Sequence, residues 1–106
     1  MLKEVSKDTF QAEVEEGTGL VLVDFWGPSC QPCLALMPHV EELSETYKDK
    51  LTVVKVDSSK NRRLCINLAV MNLPTFLLYQ DGKEVERLSG KDVSPEALSS
   101  TVEKYL

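Results

Sequence analysis

Apolar and polar positions along this chain follow two periods, and the changes between them mark out the elements. Leu20 to Trp26 is almost continuously apolar, with Leu20, Leu22, Asp24 and Trp26 on one strand face and Val21, Val23 and Phe25 on the other. Apolar side chains on both faces predict a central strand covered from both sides. Leu51 to Asp57 is rich in Val and reads as another buried strand. Thr75 to Tyr79 reads as a third, Asp81-Gly82 as a hairpin turn, and Glu84 to Leu88 as the antiparallel partner. Leu2 to Val5 reads as a short edge strand.

The helical period fills the intervals. A helix is expected from Ser6 or Asp8, with Asp8 as N-cap, Phe10 and Val14 on one face, and Gly17 as its stop. From Cys33 to Asp49 the residues Leu36, Val40, Leu43 and Tyr47 recur at the spacing of one buried helix face, and Pro38 should kink that helix. Lys60 to Ala69 reads as a helix with Leu64 and Leu68 inward. Ser94-Pro95-Glu96 opens the last helix, Ser94 as N-cap and Pro95 in the first turn, with Leu98, Val102 and Leu106 on its inner face. Strands alternating with helices predict the α/β class, a mixed sheet between helical layers.

Composition narrows the class. With 106 residues, 42% hydrophobic and 27% charged, the chain suits one globular domain, residues 1–106, with a core that needs no staples. A net charge of −5 argues against a general nucleic-acid binder, which needs an excess of Lys and Arg. No run approaches the roughly 20 apolar residues of a membrane span. The polar start, Met1 to Asp8, does not read as a signal peptide, so the chain is expected to be cytoplasmic. Three cysteines do not suit a secreted disulfide framework.

The candidate chemistry sits at Cys30-Gln31-Pro32-Cys33. The spacing alone fits a zinc site as well as a redox pair. Its place, after the breakers Gly27-Pro28-Ser29 and before a helix, favours redox chemistry, because unpaired N–H groups at a helix N-terminus favour a thiolate. Cys30 is then the exposed nucleophile, able to cap the helix by accepting from the Cys33 N–H, and Cys33 resolves. Pro32 fits the first turn, where its missing N–H costs nothing. Asp24, inside an apolar strand, is either a base for Cys33 with a raised pKa or a carboxylate that simply finds a donor. Lys55 on the neighbouring strand is either its paired charge or a surface lysine. Cys65 reads as a buried small hydrophobe and His39 as a helix-face residue. With Cys30 and Cys33 they nonetheless make four conceivable zinc ligands. Lys60, Arg62 and Arg63 read as a solvated helix face.

Val23-Asp24-Phe25-Trp26, Cys30-x-Pro-Cys33 with Pro38 five residues on, Val54-Lys55-Val56-Asp57, Val70-x-x-Leu-Pro-Thr75, Asp81-Gly82 and Gly90 together resemble the thioredoxin family, in order and over essentially the whole chain. The resemblance implies a central mixed five-stranded sheet flanked by four helices. It also implies a redox-active Cys30–Cys33 disulfide that reduces protein disulfides. By the same resemblance Asp24 is a buried acid, Lys55 its neighbour, and Pro74 a cis-proline facing the dithiol, its flanking backbone pairing with substrate. Ser29 and Gln31 stand where the family usually has Trp and Gly; with Pro32 and Trp26 they are expected to tune the site and its choice of partners. No Gly-rich dinucleotide fingerprint is present, so no cofactor is expected and electrons would come from a partner reductase. The expected clients are disulfide-containing proteins, met by a monomer that binds neither nucleic acid nor membrane. The alternatives are a reductase dedicated to one partner, or a non-catalytic binding or zinc-binding module.

Overall fold

A computed structural model describes residues 2–106. Its sheet contains β1 (Lys3–Glu4), β2 (Leu20–Trp26), β3 (Leu51–Asp57), β4 (Thr75–Gln80) and β5 (Lys83–Ser89), in the spatial order β1-β3-β2-β4-β5. β1 and β2 run parallel to β3, whereas β4 is antiparallel to both β2 and β5, so the sheet is mixed. The helices are a short π-helical segment (Gln11–Glu15), α1 (Gln31–Thr46), α2 (Arg62–Asn67) and α3 (Pro95–Glu103), with a 3-10 turn at Gly90–Asp92. Strand and helix elements thus form the α/β fold expected, a five-stranded sheet with four helices.

The two faces of β2 separate two cores. Val21, Val23 and Phe25 pack with Phe10 and Val14 of the π-helical region and with Cys65 of α2. Leu20 and Leu22 pack with Val40 and Leu43 of α1 and with Leu98 and Val102 of α3. Each such fully buried side chain contributes about 1.5–3 kcal/mol. Asp24 shares the second face and is only 2% exposed, so a carboxyl group sits within a layer otherwise stabilised by apolar burial. The edges of β2 and β3 fall where the apolar runs end, and the β4–β5 hairpin closes through Asp81 and Gly82, both at positive φ (51° and 85°). That pair of left-handed residues is what a two-residue turn between twisted strands requires.

Some details differ from the sequence expectation, among them the bounds of α1, which runs from Gln31 to Thr46 rather than from Cys33 to Asp49. Asp8 is not the cap of the first helix: Ser6 Oγ accepts from the Asp8 N–H (3.2 Å) and Thr9 Oγ1 from the Ser6 N–H (3.0 Å), so two hydroxyls organise that turn. The carboxylate of Asp8 turns instead toward Lys7. The helix expected from Lys60 starts at Arg62, because Asp57 Oδ1 accepts from the Ser59 N–H and Oγ (2.9 and 2.6 Å) and holds a turn there. It stops at Asn67, ahead of Ala69 at φ 57°. Leu106 does not join the inner face of the last helix; it lies beyond α3, and 42% of it is exposed. Among the described residues, no helix is long and apolar enough to cross a membrane.

Candidate active site

The site forms where the C-terminal end of β2 meets the N-terminus of α1. Trp26 ends the strand, Gly27 to Ser29 turn the chain, and Cys30 is the N-cap of α1. The Cys33 N–H donates to Cys30 Sγ at 3.2 Å. One of the orphan donors of the helix therefore points at the sulfur, and the aligned peptide dipoles add to its preference for negative charge. The Cys30 and Cys33 sulfurs are joined in a disulfide, with Cα atoms 5.3 Å apart. Cys30 is half-buried, whereas Cys33 is 2% exposed. Ser29, Gln31 and Pro32 all face solvent around the accessible sulfur.

Asp24 is buried in β2, two residues before the strand ends. Burial pushes its carboxyl pKa up from 3.8 to about 7; the Lys55 ammonium opposes that rise and the Glu4 carboxylate adds to it. Lys55 is the register partner of Asp24 on β3. Its ammonium makes an ion pair with Glu4 at 3.9 Å and lies 5.3 Å from the centroid of the Trp26 ring. The Lys55 charge lowers the Asp24 pKa across the strand pair, while its ammonium is the ion-pair partner of Glu4.

Across from α1, the Leu73–Pro74 peptide bond is cis. Pro74 is buried, its carbonyl accepts from the Gly90 N–H at 2.8 Å, and β4 starts at the next residue. Among the described residues, no main-chain hydrogen bond engages Leu73. Two grooves meet at this residue: one of ≈ 460 Å³ bordered by Ser29, Cys30 and Arg62, the other of ≈ 520 Å³ bordered by Pro32, Pro74 and Lys91. Leu73 and Arg62 were not singled out from sequence as parts of the site. The only signal for Leu73 was its place before Pro74, and Arg62 looked like any exposed helix residue.

Other candidates lie apart. Cys65 is a free thiol buried in the first core, as expected of a small hydrophobe. His39 lies between α1 and α3, with Nε2 3.4 Å from Ser99 Oγ and Nδ1 3.8 Å from a Glu42 oxygen. Among the described residues, no three His, Cys, Asp or Glu side chains gather into a metal-binding group, so the four conceivable zinc ligands do not converge.

A helix-capping dithiol that closes into a disulfide, set on an α/β sheet beside a cis-proline, defines a thiol–disulfide oxidoreductase. The thioredoxin family model matches residues 1–104. The chain is 44% identical over 103 residues to a thioredoxin of Acetoanaerobium sticklandii, covering 97% of this chain and 98% of that one. It is 42% identical over 106 residues to a thioredoxin of Peptoclostridium acidaminophilum, covering 100% and 96%. It is also 42% identical over 98 residues to a thioredoxin of Bacillus subtilis, covering 92% and 91%. The chain belongs to the thioredoxin family, and its enzymatic class is protein-disulfide reductase.

Proposed function

We propose that the reduced protein attacks client disulfides through the Cys30 thiolate and resolves the complex through Cys33. The observation that carries this reading is the asymmetry of the pair: Cys30 is accessible and accepts the Cys33 N–H, while Cys33 is buried. Cys30 Sγ bonds one client sulfur, and the client's other sulfur leaves as a thiolate that takes a proton from solvent. Asp24, as carboxylate, accepts the Cys33 thiol proton through water. Cys33 Sγ then bonds Cys30 Sγ and expels the remaining client sulfur as a second thiolate. Two electrons pass to the client, and the Cys30–Cys33 disulfide remains. A partner reductase returns it to the dithiol.

In the same proposal an extended client segment lies beside Pro74 and pairs with the unengaged main chain of Leu73. Ser29, Gln31 and Pro32 form the exposed rim that such a segment meets, and Trp26 supports the rim from β2. Lys55 holds the Asp24 titration within the range where both of its forms are populated near neutrality. The protein works as a monomer in the cytoplasm, where the reducing poise favours this direction. Insulin-disulfide reduction with dithiothreitol tests the assignment: Cys30→Ser should abolish turnover, and Cys33→Ser should instead accumulate a mixed disulfide. Parental turnover by Cys30→Ser would reject the proposed nucleophile.

A further inference from the structure

The two grooves flanking the disulfide differ in charge from the rest of the molecule. Neither groove has an Asp or Glu in its wall, yet each carries one cation, Arg62 in the first and Lys91 in the second. Lys60 and Arg63 are exposed beside Arg62. None of these four side chains makes an ion pair or a side-chain hydrogen bond among the described residues. Lys3, Lys7, Lys55, Arg87 and Lys104 sit against carboxylates, while Lys48, Lys50 and Lys83, which border neither groove, also lack an ion pair among the described residues. Asp92 follows Lys91 in the chain but does not border the groove. In a protein of net charge −5, the cleft is thus a local reversal of sign.

The first groove holds a further unpaired polar group. Ser58 borders it, and the Ser58 hydroxyl is buried without a hydrogen-bond partner. Cys30 and Arg62 border the same groove, so a client residue next to the attacked cystine passes within reach of the guanidinium. A guanidinium offers a planar fork of donors that fits a carboxylate, and apolar walls reduce the screening of that contact.

We propose that the cleft selects client disulfides flanked by acidic residues, with Arg62 engaging a carboxylate on one side of the bound segment and Lys91 one on the other. This rests on the disulfide-reductase reading and narrows it to a substrate class. The complementary charges speed encounter and help hold the segment in register across Leu73.

The test is a single-turnover comparison of three cystine peptides of equal length whose residues flanking the disulfide are Asp, Gln or Lys. Pre-reduced protein is mixed with each peptide, and the second-order rate constant is read from acid-quenched thiols. An exposed ion pair is worth about threefold per cation, so the Asp peptide should react about tenfold faster than the Gln peptide at low salt. The ratio should approach one in 1 M salt, where the screening length is about 3 Å. Arg62→Gln and Lys91→Gln should each reduce the Asp-to-Gln ratio about threefold, and Arg62→Glu should reduce it further. Lys83→Gln removes the same charge at the opposite end of the sheet and should leave the ratio unchanged. Equal rates for the three peptides, or an equal drop with Lys83→Gln, would overturn the proposal while leaving the reductase activity standing. Failure to reduce any of the peptides would overturn the reductase reading and the proposal with it.

Discussion

Asp24 and Lys55 are cross-strand partners on β2 and β3, yet the Lys55 ammonium is paired with Glu4 rather than with Asp24. The buried carboxyl is thereby left under two opposed influences, desolvation that raises its pKa to about 7 and a lysine charge that restrains the rise. Below pH 3.8 the carboxyl is protonated in both folded and unfolded chains and contributes no pH dependence. Between 3.8 and about 7 the unfolded chain has released the proton and the folded one retains it, so stability falls as pH rises. Asp24→Asn should therefore be more stable than the parent at pH 8, by up to the order of 4 kcal/mol. That advantage should fade toward pH 4, as measured by urea unfolding at the two pH values.

The neighbouring charges should move the Asp24 titration in opposite directions. Lys55→Met removes the attraction that lowers the pKa and should shift the midpoint upward. Glu4→Gln removes a repulsion and should shift it downward. Carboxyl carbon NMR of the oxidised protein reads both shifts. Movement in the same direction would show that charge is not how these residues act on Asp24.

Arg87 and Ala69 form a clamp ahead of the cis-proline loop. The Arg87 guanidinium donates to the carbonyls of Ala69 (3.0 Å) and Leu68 (2.8 Å) while paired with Glu84. Ala69 holds φ 57°, a conformation that costs a residue with a Cβ about 1 kcal/mol more than glycine. Ala69→Gly should raise the melting temperature by about 4 °C or more. Arg87→Ala should lower stability by about 1–2 kcal/mol, and Arg87→Lys should restore little of it, because an ammonium lacks the planar fork.

Cys65 is 7% exposed and packs in the first core, which includes neither active-site cysteine. In the native protein it should react with Ellman's reagent only on the timescale of unfolding, and Cys65→Ala should leave insulin reduction within about twofold of the parent while costing about 1 kcal/mol of stability. Rapid native reactivity of Cys65 would contradict its inert role.

Much of this arrangement was legible because local chemistry and tertiary structure agree. The run from Leu20 to Trp26 is apolar on both faces and is buried on both. Asp81-Gly82 supplies the left-handed residues its turn needs. Ser94 Oγ accepts from the Ala97 N–H at 3.0 Å, and Cys30 caps α1 as its position before the helix suggested. Legibility failed where several local partners compete or where distant segments meet. Ser6, Asp8 and Thr9 are all capable caps, and only the folded chain decides between them. Asp57 diverts the start of α2 by binding Ser59. The cis state of Leu73–Pro74 is set by its surroundings, so it was expected from family resemblance alone. The Lys55–Glu4 contact depends on β1 lying beside β3, and the Arg87 clamp joins residues far apart in sequence. Neither has a local signature.

The most direct test of the central claim is the pH dependence of alkylation of the two active-site thiols in the reduced protein. Iodoacetamide modification, followed site by site by mass spectrometry, separates Cys30 from Cys33. The account predicts modification at Cys30 alone, with a midpoint below the ~8.5 of a free thiol, because the Cys33 N–H and the α1 dipole favour its thiolate. Equal rates at Cys30 and Cys33, or a Cys30 midpoint at or above ~8.5, would contradict it.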